Sequence, residues 1–188
     1  GAGEDHPVTQ INLADCQGFC AWLSAREGRR YRLPTDLEWS WAVGIGDRED
    51  ASALPEKRGG GAGSVYAWGT EWPPPPRVAN IADESLRQVA AHVPNRLIPG
   101  YDDGFATTAP VMSFPPNALG IYDLAGNVWE LIPDWMDAEK QDVLRRGSSF
   151  NNGSLDPARA YVAANVRNPR PPGMRSEDGG FRIVVEKP

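Results

Sequence analysis

Apolar positions in the first third of the chain follow helical spacing. Leu13, Cys16, Cys20 and Leu23 recur every three or four residues, with Phe19 and Trp22 beside them, and the pattern fades at Arg26 to Gly28. Asn12 stands where an N-cap belongs, so an amphipathic helix begins at Leu13. A second helix is predicted from Asp36. Thr35 precedes Glu38 by three residues, the capping-box arrangement, and Leu37, Trp41 and Ala42 continue one face. Residues 44–78 are rich in Gly and Pro and lack periodic apolar positions, which predicts a long loop region. Residues 111–135 mix short apolar pieces with turn residues and predict short strands and tight turns. The runs 143–150 and 180–185 read as strands flanking an irregular Asn-, Arg- and Pro-rich stretch, and the ends of that stretch are expected to pair. No repeat and no shift of composition divides the chain, so the reading is one α+β domain over 1–188 with heavy loop content.

Composition narrows the function classes. The 188 residues are enough to bury a sizeable core, with 40% hydrophobic and 23% charged residues, near the globular average. Glycine (20) and proline (18) make up about a fifth of the chain, which disfavours a helix bundle. A net charge of −6 gives no field to gather a polyanion, so nucleic acid is not an expected partner. No apolar run of about 18 residues exists to span a bilayer, and no membrane partner is expected. No signal-peptide pattern opens at Gly1, and the compartment is not legible. Cys16 and Cys20, one helical turn apart, point the same way and are read as small core residues rather than a disulfide.

Several blocks carry a family resemblance. They are Tyr31-Arg32-Leu33-Pro34-Thr35-Asp36-Leu37-Glu38-Trp39, Asp103-Gly104-Phe105, Phe114-Pro115-Pro116-Asn117, the run from Gly120 through Gly126-Asn127-Val128-Trp129-Glu130, Arg146-Gly147-Ser148-Ser149-Phe150 and Gly180-Phe181-Arg182. Together, and in this order, they resemble the formylglycine-generating (sulfatase-modifying factor) family. The resemblance implies a variant of the C-type lectin fold with little regular secondary structure and long loops. Members usually carry a further N-terminal segment ahead of the helix that here begins at Leu13, so the domain reads as lacking it.

What the resemblance implies about chemistry turns on ligands. Family oxidases that convert cysteine to formylglycine bind copper through two cysteines in the stretch after the Arg-Gly-Ser-Ser-aromatic motif. Here that stretch, Asn151-Asn152-Gly153-Ser154-Leu155-Asp156-Pro157-Ala158-Arg159, has none. Related sulfoxide synthases hold iron with three histidines, whereas this chain has only His6 and His92. Neither copper nor iron is expected. Calcium is, because hard cations take oxygen ligands from irregular loops. By resemblance one site uses Asn80 and Asp103 with carbonyls of Ile81 and Phe105, and another uses Glu130 with Asn127 nearby and backbone oxygens of Ala125, Gly126 and Val128. The competing reading is that Asp103 caps a turn and Glu130 pairs with an arginine.

Residues 150–179 could present a recognition face, since binding residues concentrate on loops held by a rigid scaffold. Its candidate residues are Ser149, Phe150, Asn151, Asn152, Arg159, Tyr161, Asn165, Arg167, Asn168, Arg170 and Arg175. Tyr, Asn and Arg are adaptable contact residues. The alternative is a solvated loop whose arginines pack on Trp129 or Trp135. Variable proteins of diversity-generating retroelements share this fold and vary in this segment, with asparagine frequent; similar modules also occur appended to bacterial kinases. Of the tryptophans, Trp39, Trp41, Trp129 and Trp135 are expected in the core, and Trp68 and Trp72 are expected to pin the Gly/Pro loop. The leading expectation is a non-catalytic domain that binds a protein or small-molecule ligand, stabilised by calcium. Its rival is a divergent oxidoreductase of the family acting on a protein or small-molecule substrate.

Overall fold

The structure, a computed structural model, describes residues 3–59, 65–90, 97–153 and 161–187. Both predicted helices form, and local capping explains why. In α1 (Leu13–Glu27) the Asn12 side chain accepts from the Asp15 amide while the Asp15 carboxylate accepts from the Asn12 amide, and Gly28 closes the helix in the left-handed region at φ 66°. In α2 (Asp36–Val43) Thr35 and Glu38 make the same reciprocal pair, and Gly44 ends it at φ 92°. Cys16 and Cys20 are buried free thiols on the inner face of α1, against Leu33, Leu131 and Val143. A single turn, α3 (Pro55–Arg58), interrupts the long loop region, part of which lies outside the described residues.

Two small sheets complete the fold. The larger has the order β4-β3-β2-β5, built from β2 (Trp129–Trp135), β3 (Val143–Arg146), β4 (Asn168–Arg170) and β5 (Gly179–Gly180). The smaller pairs β1 (Tyr31–Arg32) with β6 (Val184–Val185), antiparallel. The expected pairing of 143–150 with 180–185 does not occur. β3 lies antiparallel between β2 and β4, β5 runs parallel to β2, and β6 departs to β1. Gly147 and Ser148 at φ 90° and 70° turn the chain out of β3, and between β5 and β6 the Arg182 side chain is drawn to Glu130.

Among the described residues the core divides into clusters on either side of β2 and β3. On one face Ile132 and Leu144 meet Trp39, Ile45 and Leu124, and on the other Leu131 and Val143 meet Cys16, Cys20 and Leu33; a further cluster, apart from these strands, gathers Tyr66, Ile81, Ile98 and Tyr101. Trp39 and Trp129 are core residues as expected, but Trp41 is 59% exposed. Two positions along a helix turn roughly 200°, so with Trp39 facing inward Trp41 must face out. Trp68 and Trp72 flank Tyr66, with centroids at 4.9 and 5.2 Å, and hold that loop to the body.

A buried ionic cluster ties α2 to the C-terminal half. Asp36 accepts from Arg146, from Arg58 at 2.9 Å and from Arg167 at 2.8 Å, and Arg167 also donates to Glu49. Burial alone would raise the Asp36 carboxyl, but Arg146 and Arg167 outweigh it and hold it below the usual range. The Arg146 guanidinium also stacks over Trp39, 4.3 Å from the ring centroid.

Candidate functional site

The residues expected to form a recognition face separate into three kinds. Ser149, Phe150 and Arg167 are scaffold. Ser149 is fully buried, Phe150 packs against Leu86 and Leu97, and the Arg167 side chain is 3% exposed within the Asp36 cluster. Arg167 is therefore not a contact residue, because its guanidinium is spent on two buried carboxylates. Asn151, Asn152, Asn165, Asn168 and Arg170 are half-buried. Asn165 donates to the Gly59 carbonyl at 2.9 Å, and Asn168 and Arg170 lie in β4. Tyr161, 51% exposed, and Arg175 present side chains to solvent; Arg175 also pairs with Asp15 and donates to the Gln10 carbonyl. Arg159 lies outside the described residues.

Behind this face sits a polar cluster that the sequence pattern does not reveal. The Trp129 indole N–H donates to Asn152 Oδ1 at 2.7 Å, and the Ser149 hydroxyl lies 2.7 Å from the same oxygen. Ser149 Oγ is also 3.4 Å from Asp178, whose carboxylate pairs with Arg145. Arg145 is buried and stacks on Trp129 at 5.2 Å, with burial lowering its pKa to about 10. No local motif marks Asp178 or Arg145; β3 and β5 flanking β2 bring them together.

The cluster offers a hydroxyl, an amide, a carboxylate and a guanidinium. It offers no thiolate and no imidazole. Cys16 and Cys20 lie in the α1 cluster instead, where burial pushes the Cys16 thiol up to about 12. His6 Nδ1 sits 2.9 Å from the Thr108 hydroxyl, and His92 lies outside the described residues.

The two groups of expected calcium ligands fare differently. Asn80, Ile81, Asp103 and Phe105 come together. Asp103 is fully buried and accepts from the Ile81 amide at 3.0 Å and the Phe105 amide at 2.8 Å. Asn80 donates through Nδ2 to the Thr107 carbonyl, while its Oδ1 is buried with no hydrogen-bond donor. Burial, with the nearby Asp83 carboxylate, pushes Asp103 up to about 7. Asp83, a residue sequence reasoning missed, accepts from the Asp103 and Ser85 amides. Asn80 Oδ1 is thus an unmet acceptor on the residue next to Ile81, and no cationic side chain pairs with Asp103 among the described residues. Among the described residues no three acidic, histidine or cysteine side chains converge, so an ion here would depend on amide and carbonyl oxygens.

In the second group the side chains have protein partners. Glu130 is ion-paired with Arg182, which donates from Nε at 2.7 Å and from Nη2, and it accepts from Trp39 Nε1 at 2.8 Å. Its charge is already met. The Asn127 amide exchanges two hydrogen bonds with the Ala109 backbone, both 3.1 Å, and its own carbonyl accepts from the Phe150 amide. Gly126 has a purely steric reason. At φ 76° its position would set a Cβ 1.9 Å from the Asn80 carbonyl oxygen, so no side chain fits. No helix among the described residues is long and apolar enough to cross a membrane.

Comparison with known proteins agrees with this architecture. Over 182 residues the chain is 31% identical to the inactive C-alpha-formylglycine-generating enzyme 2 of Bos taurus, spanning 96% of this chain and 50% of that protein. Over 197 residues it is 33% identical to the formylglycine-generating enzyme of the same animal, spanning 97% of this chain and 44% of that one. The chain thus spans about half the length of these relatives. The Treponema denticola variable protein 1 superposes with a TM-score of 0.61 at 21% identity, covering 95% of this chain and 70% of that one, which shows a shared fold. The sulfatase-modifying factor enzyme 1-like domain matches residues 2–187, and the chain belongs to that family.

Proposed function

We propose that this chain is a non-catalytic binding domain of the formylglycine-generating family. The observation that carries the reading is Asn152. It lies in the stretch where the resemblance places copper-binding cysteines, and its side-chain oxygen is bonded to Trp129 and within 2.7 Å of the Ser149 hydroxyl. A soft metal wants thiolate or thioether, and an amide oxygen held by an indole N–H supplies neither. The relative named inactive, matched over a similar length, supports the same reading.

Binding would use the exposed side of the C-terminal segment, where Tyr161 and Arg175 supply the side-chain types most enriched among interface anchors. A calcium ion held by Asn80 Oδ1, Asp103 and the carbonyls of Ile81 and Phe105 would supply stability to loops with few ladder hydrogen bonds. A narrower version, a retroelement-diversified variable protein, draws support from Asn151, Asn152, Asn165 and Asn168 alone. Resequencing across isolates tests it: substitutions confined to adenine positions in this segment support it, and scattered silent changes reject it.

The test of non-catalysis is direct. Incubated with copper(I), oxygen and a sulfatase-derived cysteine peptide, the protein should leave the cysteine intact by mass spectrometry. Conversion to formylglycine would restore the rival reading, a divergent oxidoreductase.

A further inference from the structure

We propose that the cavity between residues 65–69 and 114–125 binds a small organic cation with an apolar body, its ammonium group paired with the Asp123 carboxylate. This site is separate from the Asn152 cluster and does not depend on how that cluster functions.

The cavity measures about 520 Å³, within the range of small-molecule sites. Its walls are apolar, with Val65, Trp68, Phe114, Leu119 and Ile121 among them. Trp68 is held in place by near-parallel stacking on Tyr66, 7° between planes, and by its indole N–H donating to the Glu71 carbonyl at 3.1 Å. A fixed aromatic wall suits both a hydrocarbon body and a cation near its face.

Asp123 is the one charged side chain among the described lining residues. Its Oδ2 accepts from the Met112 amide at 2.8 Å, and no described donor reaches Oδ1. Arg182 is the cation that acts on it electrostatically, but Arg182 is ion-paired with Glu130 and gives Asp123 only a hydrogen bond to its carbonyl. Two carboxylates against one guanidinium leave one negative charge unmatched at the cavity wall. Burial raises the Asp123 carboxyl, with Glu130 adding to the rise while the Met112 amide and Arg182 oppose it, so a ligand cation would hold it ionised. A ligand cation would complete the charge balance, whereas an anion would meet a like charge in an apolar setting.

Isothermal titration of the whole chain with 2-phenylethylammonium and with neutral 2-phenylethanol tests the proposal. The amine should bind about fivefold or more tighter than the alcohol, a preference that salt reduces. Asp123→Asn should abolish that preference. The site sits at φ 55°, a region asparagine tolerates, and Asn keeps an oxygen for the Met112 amide, so the variant is expected to melt near the parent. If it does not fold, the amine-to-alcohol ratio of the parent and its salt dependence decide. Equal binding of amine and alcohol, binding of neither, or a preference that survives Asp123→Asn would overturn the proposal.

Discussion

The Trp129 indole N–H donates to Asn152 Oδ1 at 2.7 Å, and this bond joins the buried strand β2 to the loop that follows the Arg-Gly-Ser-Ser-Phe motif. Trp129 is 1% exposed, so its N–H has no recourse to bulk water. A residue in the stretch where the resemblance implies copper ligands is thus tied to the core by a hydrogen bond.

Asn152→Ala should therefore cost about 1–3 kcal/mol in chemical denaturation, the penalty for stranding a buried donor. Asn152→Asp keeps an acceptor and should cost less. Equal stability of Asn152→Ala and the parent would show that the bond contributes nothing.

Arg167→Ala should cost about 3–5 kcal/mol, because it leaves Asp36 and Glu49 buried with fewer cations. Tyr161→Ala and Arg175→Ala should each stay within about 1 kcal/mol, Arg175 losing an exposed pair with Asp15 and an exposed hydrogen bond to the Gln10 carbonyl. Thermal melts of the three variants check this, and a mild Arg167→Ala would contradict it.

Asp103→Ala should abolish any rise in Tm on adding calcium. Glu130→Ala should lower Tm by stranding Arg182 while leaving the calcium response intact. If instead Glu130→Ala removes part of the calcium response, Glu130 is a ligand after all.

These contrasts mark what was legible in the sequence. Both helices were, because the Asn12 cap and the Thr35–Glu38 box act within three residues. Strand pairing was not: β6 pairs with β1 near the other end of the chain, and Arg182 just before it pairs with Glu130, contacts that no local pattern marks. The same distance hid the burial of Arg167, whose partners Asp36 and Glu49 lie in the first third of the chain. Asn80 and Asp103 came from family resemblance, and the fold joins them through the Ile81 amide; Asp83 had no motif to mark it.

Calcium stabilisation should depend on pH with a definite sign. In chelator, folded Asp103 keeps its proton to about 7, while the unfolded chain loses it near 3.8. The folded state thus binds the extra proton between these limits, and this group's contribution to stability falls as pH rises through them. Calcium needs the carboxylate, so its gain in Tm should be small at pH 5 and large at pH 8. Melting curves with calcium or EDTA across this range test it, and a gain independent of pH would contradict the assignment.

Metal analysis of the purified chain, dialysed after exposure to calcium, copper(I) and iron(II), tests the central claim most directly. The expected content is about one calcium ion per chain, with no stoichiometric copper or iron. One equivalent of copper or iron retained through dialysis would contradict a non-catalytic, oxygen-ligated domain.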